Sequence, residues 1–160
     1  MPDSRYEHDA LAWSQHQAEL LRRLGRGERV NDVDWANLAE EIEGVGLSEL
    51  HAVESCLNLI LLHLLKLHVW PDSEACRHWR VEIVGFQKNL KRQFAPSMRQ
   101  RIDLGELYTD ALDQLRAGDP DLRLPPENPF TLDDLRVGDV KSLLSRLAPS
   151  EADAEPDPRT

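Results

Sequence analysis

Fifteen consecutive residues, CLNLILLHLLKLHVW from Cys56 to Trp70, place apolar side chains on nearly every side of a helix. Such a segment is stable in water only where other elements cover it all round, so it predicts a central helix enclosed by its neighbours. The run falls short of the roughly 18–20 residues needed to cross a bilayer, and Asn58, His63, Lys66 and His68 interrupt it. It is read as a core helix and not as a membrane span.

The rest of the chain supplies candidates for that covering layer. From about Ser4 to Leu24, Tyr6, Ala10, Trp13, Leu20, Leu21 and Leu24 recur at helical spacing, with Asp3 or Ser4 available as an N-cap. Asp34 can cap a second helix whose buried stripe is Trp35, Leu38, Ala39, Ile42 and Val45, and Gly44 and Gly46 are expected to loosen its end. The third, central helix runs from about Leu47 to Trp70, and its start carries His51, Glu54, Ser55 and Asn58 on one side. Pro71 and Asp72 end it.

A fourth helix, about Glu74 to Phe94, has Trp79, Ile83, Phe86, Leu90 and Phe94 on one stripe. Arg77, Arg80, Lys88, Lys91 and Arg92 gather opposite. A fifth helical region, from Pro96 to about Ala117, turns Leu104, Tyr108, Ala111, Leu112 and Leu115 inward, with Gly105 a candidate bend. After a proline-rich connection from Pro120 to Pro129, Thr131 and Asp134 have the spacing of a capping box for a short helix to about Val137. A last helix spans Val140 to Leu147. No stretch alternates as a strand does. The fold class is therefore all-α: an irregular bundle of about five main helices around a central apolar helix, with one or two short C-terminal helices. Residues 1–148 are expected to form a single domain, and residues 149–160 an acidic, Pro-rich flexible tail.

Several features in combination resemble the bacterial family known as domain of unknown function 29. They are Tyr6 with Asp9 and Trp13 ahead of Gln17 and LLR, LAEEIEGVG from Leu38, HLLK from His63, Trp79 with Ile83, and the closing NPFTLDDL. They occur in the family's order and cover about Tyr6 to Val140. The resemblance implies an all-helical fold of this length. It carries no reaction, ligand or catalytic residue with it.

Charge narrows the classes of partner. With 29 acidic residues against 19 Lys and Arg, the net charge of −10 disfavours nucleic acid and anionic membrane. The acids are concentrated between Gly27 and Glu54 and the bases between Arg77 and Arg101, so two patches of opposite sign are expected. Directed at each other within one molecule they form ordinary surface pairs, and directed outward they steer another protein or a second copy. The aromatic residues of the basic helix lie on its core stripe, out of reach of stacked bases. No secretory start is visible, and two cysteines without a Cys-x-x-Cys spacing suit a reducing compartment, so a cytoplasmic protein is expected.

Candidate chemistry is sparse. His63 and Lys66 sit inside the apolar run and need partners there, for which Glu40 or Glu43 is the sequence's own candidate. His68, Cys76 and His78 flank the turn at Pro71 but lack a fourth ligand and suit a surface turn. Gln17 interrupts the apolar stripe of the first helix and is expected to bond a neighbouring backbone group. No phosphate-binding glycine loop, Gly-x-Ser-x-Gly or His-Glu-x-x-His occurs, and neither a cofactor nor a metal is expected. The preferred reading is a non-catalytic adaptor or regulatory module that binds a protein, or itself, through its charged helix faces. The alternative is a helical-bundle enzyme or a metal or small-ligand binder built on Glu40, Glu43, His63 and Lys66.

Overall fold

The computed structural model describes residues 5–148. Among them the secondary structure is helical throughout: α1 (Arg5–His8), α2 (Ala10–Gly25), α3 (Trp35–Val69), α4 (Cys76–Gln93), a 3-10 turn (Pro96–Met98), α5 (Leu104–Gly118), α6 (Leu132–Val137) and α7 (Val140–Leu147). The all-α class expected from the periodicity is the one observed. The tail at residues 149–160 and the candidate caps Asp3 and Ser4 lie outside the described residues.

Three boundaries differ from the sequence reading, one of them in the fifth helical region expected from Pro96: Pro96–Met98 is a single 3-10 turn, and α5 begins at Leu104 under a cap from Asp103, whose carboxylate accepts the Glu106 N–H at 3.0 Å. The first predicted helix is divided at Asp9, whose carboxylate accepts the Ala12 N–H at 2.9 Å and caps α2. The second and third predicted helices are one helix of 35 residues that passes through Gly44 and Gly46. Each mid-helix glycine costs about 0.5–1 kcal/mol relative to alanine. That weakens a helix without ending it, and no proline lies within Trp35–Val69 to remove a donor. By length and composition α3 is consequently long and apolar enough to cross a membrane, but half of its apolar window is buried inside the structure.

The described residues fall into two compact units, one up to Ser48 and one from Glu49 onward. In the first, Trp13, Gln17 and Leu20 of α2 are buried with Asp34. The Gln17 amide oxygen accepts the Asp34 N–H at 2.9 Å, and the Trp13 indole N–H donates to the Asp34 carboxylate at 3.2 Å. The expected backbone bond of Gln17 is thus the one that anchors the start of α3.

In the second unit the later part of α3 is the enclosed helix: Val53, Leu57, Ile60, Leu61, Leu64 and Leu65 are fully buried. Ile83 and Leu90 of α4, Tyr108 and Ala111 of α5, Leu135 of α6 and Leu143 and Leu147 of α7 complete that core. The proline-rich connection is held by polar side chains, because its backbone has no helix to satisfy it. Tyr108 Oη donates to the Pro125 carbonyl at 2.8 Å, and the Asn128 side chain bonds both N–H and C=O of Phe130. The Gln87 amide donates to the Leu135 and Gly138 carbonyls at the C-terminal end of α6.

Candidate functional site

The stripe Trp35, Leu38, Ala39, Ile42 and Val45 reads as core in the sequence, and the structure leaves most of it in water. Trp35 is 64% exposed, Ile42 68% and Val45 66%, Ala39 is exposed as well, and only Leu38 is partly covered. The cause is polar anchoring. Asp34, tied to Trp13 and Gln17, and Glu41, which accepts the Tyr6 hydroxyl at 2.7 Å, decide which side of α3 meets α1 and α2. The apolar stripe lies roughly a quarter turn away. Glu41 and Glu43 flank it on opposite sides at 100° per residue, and Glu49 follows it in line. Neither Glu43 nor Glu49 makes an ion pair among the described residues.

His63 is buried beside α4. Its Nδ1–H donates to the Leu59 carbonyl at 2.6 Å, and Nε2 lies 2.5 Å from Glu82 Oε2. The other Glu82 oxygen stands 3.3 Å from Nε2 of the exposed His78, so a single carboxylate serves two imidazoles. Phe86 closes over the His63 ring edge-to-face, with centroids 5.8 Å apart. Lys66 extends its ammonium over the Trp79 ring, 5.7 Å from the centroid, which is a cation–π contact at the edge of the core.

The partner of His63 is therefore Glu82, not Glu40 or Glu43, both of which are exposed residues of the first unit. Of the four candidates named from sequence, His63 and Lys66 each find a partner on α4. Glu82 was missed because its pairing spans a turn between helices, and only its position one turn beyond His78 hinted at it. Cys76 Sγ faces the Trp70 and Pro71 carbonyls, consistent with a packed turn. Burial pushes the Cys56 thiol above its ordinary value, away from the thiolate form. Among the described residues no three His, Cys, Asp or Glu side chains are gathered so as to hold a metal ion.

His51, Glu54, Ser55 and Asn58 line a wide, open cleft of about 560 Å³ with Asp110 and Gln114 of α5. Asn58 Nδ2 donates to the Leu107 carbonyl at 3.3 Å and joins the two walls. The sequence placed the α3 side of this cleft together. Its α5 side, Asp110 and Gln114, was not singled out in the sequence.

On α4, Arg77, Arg80, Lys88, Lys91 and Arg92 are exposed, and none makes an ion pair among the described residues. Val81 and Val84 lie between them, 65% and 43% exposed. The chain thus presents an acidic apolar face on α3 and a basic apolar face on α4.

No curated protein matches this chain. Its structure is similar to that of an α-helical protein of unknown function from Rhodospirillum rubrum, with a TM-score of 0.69 and 30% sequence identity over 92% of this chain and 99% of that one. A family model described as domain of unknown function DUF29 matches residues 5–138. Neither the family nor the solved neighbour carries an assigned activity, and on the extent of these matches the chain belongs to the DUF29 family.

Proposed function

We propose that this chain is a non-catalytic, cytoplasmic protein-interaction module, and that the first half of α3 is its binding face. The observation that carries the reading is the exposure of Trp35, Ile42 and Val45, three large side chains at core spacing along one helix face. Exposed apolar patches of this kind, rimmed by charge, are characteristic of surfaces that another molecule covers. The acidic flank of Glu41, Glu43 and Glu49 suits a basic partner and supports steering towards it. Burial of half of the apolar window of α3 supports a role away from the bilayer. The competing reading, an enzyme or small-ligand binder on Glu40, Glu43, His63 and Lys66, is weakened by the exposure of both glutamates and the commitment of His63 to Glu82.

The test is capture from a lysate of cells that express the protein, using the chain and its Ile42→Glu variant, followed by binding of the purified captured protein. The expected result is a partner held by the first and lost by the second, more weakly at high salt. Identical capture by both chains would overturn the assignment of this face.

A further inference from the structure

Two exposed faces of this chain are alike in form and opposite in sign. On α3, Trp35, Ala39, Ile42 and Val45 run between Glu41 and Glu43. On α4, Arg77, Val81, Val84, Lys88 and Lys91 follow one another at steps of four, three, four and three residues, with Arg80 and Arg92 beside them. A dent of about 450 Å³ opens on this second face around Gly85, bordered by Val81, Phe86, Lys88, Asn89 and Arg92. Glu82, the acid on its border, is already engaged with His63 and His78. A Cβ placed on Gly85 would meet nothing within 4 Å, so no contact inside the chain demands a glycine there. A mid-helix glycine weakens the helix that contains it. At this exposed position the missing side chain leaves the floor of the dent open.

We infer that the α3 face of one copy docks on the α4 face of a second copy. Trp35 or Ile42 enters the dent at Gly85, and Lys88 and Arg92 meet the flanking glutamates. The inference rests on the reading of α3 as a binding face and names its occupant. Charge selects this pairing over the symmetric ones. Two α3 faces would set Glu against Glu, and two α4 faces would set Arg and Lys against their like, whereas the mixed pair neutralises both flanks. The contact joins two different surfaces, so each copy keeps one face free for the next unless the assembly closes on itself.

Analytical ultracentrifugation of the full chain over a range of concentrations tests it. At low salt the weight-average mass should climb above the 18.3 kDa of one chain as concentration rises. At about 1 M salt, where charges are screened within ~3 Å, it should fall back. Ile42→Glu removes the knob and Gly85→Leu fills the dent, and each should raise the dissociation constant at least about tenfold, the equivalent of ~1.4 kcal/mol. Both positions face open space in the chain, and circular dichroism confirms that each variant keeps its helices. The deciding experiment mixes the two variants. The first retains an intact α4 face and the second an intact α3 face, so the mixture should recover a 1:1 complex. A chain that stays monomeric throughout overturns the inference, as does association abolished by Ile42→Glu but indifferent to Gly85→Leu. Capture of a different protein through Ile42 by a monomeric chain would sink the second copy as occupant and leave the interaction module standing.

Discussion

Single side chains show how far polar groups direct this fold. Gln17 is wholly buried, and its one hydrogen bond to the backbone of Asp34 places the beginning of α3. Tyr6 bonds Glu41, and that bond, with burial adding to it, pushes its phenol up to about 12. Tyr108 is raised to about 12 as well, chiefly by burial. In both cases the folded state favours the neutral phenol, so its contribution is complete below the ordinary value of 10.0 and is lost as pH rises through about 12. These are the two tyrosines of the chain, and an ultraviolet titration should therefore show little tyrosinate at pH 10.0. Replacing Glu41 by Gln should return one of the two phenols towards its ordinary midpoint and leave the other in place. Half-ionisation of the native chain near pH 10.0 would contradict the Tyr6–Glu41 bond.

The start of α6 was legible because its cause is local, although the equally local caps at Asp9 and Asp103 went unread. Thr131 and Asp134 form the reciprocal cap read from their spacing: Thr131 Oγ1 accepts the Asp134 N–H at 3.2 Å, and Asp134 accepts the Thr131 N–H at 2.8 Å. Thr131→Ala removes half of that cap at the start of α6 and should lower the unfolding free energy by about 1 kcal/mol in a denaturant titration. A second consequence concerns acid. The Thr131 backbone N–H, seconded by its hydroxyl, holds the Asp134 carboxyl below 3.8, the Arg99 guanidinium does the same for Asp133, and the Ser142 hydroxyl for Asp139. These carboxylates stabilise the folded chain above about pH 3.8 and cease to do so as pH falls through their lowered values. Amide signals of α6 and α7 in NMR spectra should accordingly broaden or shift only below that pH, and an earlier loss near neutrality would exclude this origin. The rest of what the sequence hid was non-local or sat on a balance. Gly44 and Gly46 look like a break because each weakens the helix, yet the helical residues on either side carry it through. Glu82 could not be assigned to His63 because their contact depends on how two helices pack. Periodicity marked Trp35, Ile42 and Val45 as one apolar face, but it carries no information about what covers such a face.

Across the molecule, one continuous helix belongs to two very different environments. From Val53 to Leu65 α3 has a run of side chains with no exposure at all, whereas from Trp35 to Leu47 its large apolar side chains stand mostly in water. Backbone hydrogen bonds open locally where few buried contacts oppose the opening, so the protection of a helix follows its burial and not its length. Hydrogen exchange of the dilute chain should then show the amides of residues 38–48 exchanging well before those of residues 57–67, with α3 intact by circular dichroism throughout. The same gradient reports on the docking of a second copy. Raising the concentration at low salt should slow exchange in the first segment, where the α3 face becomes covered, and in α4 around Val81 to Lys88. Amides near Leu61, already enclosed, should change little. Uniform protection along all 35 residues at every concentration would mean that the exposed face needs no cover, and the case for α3 as a binding surface would fail with it.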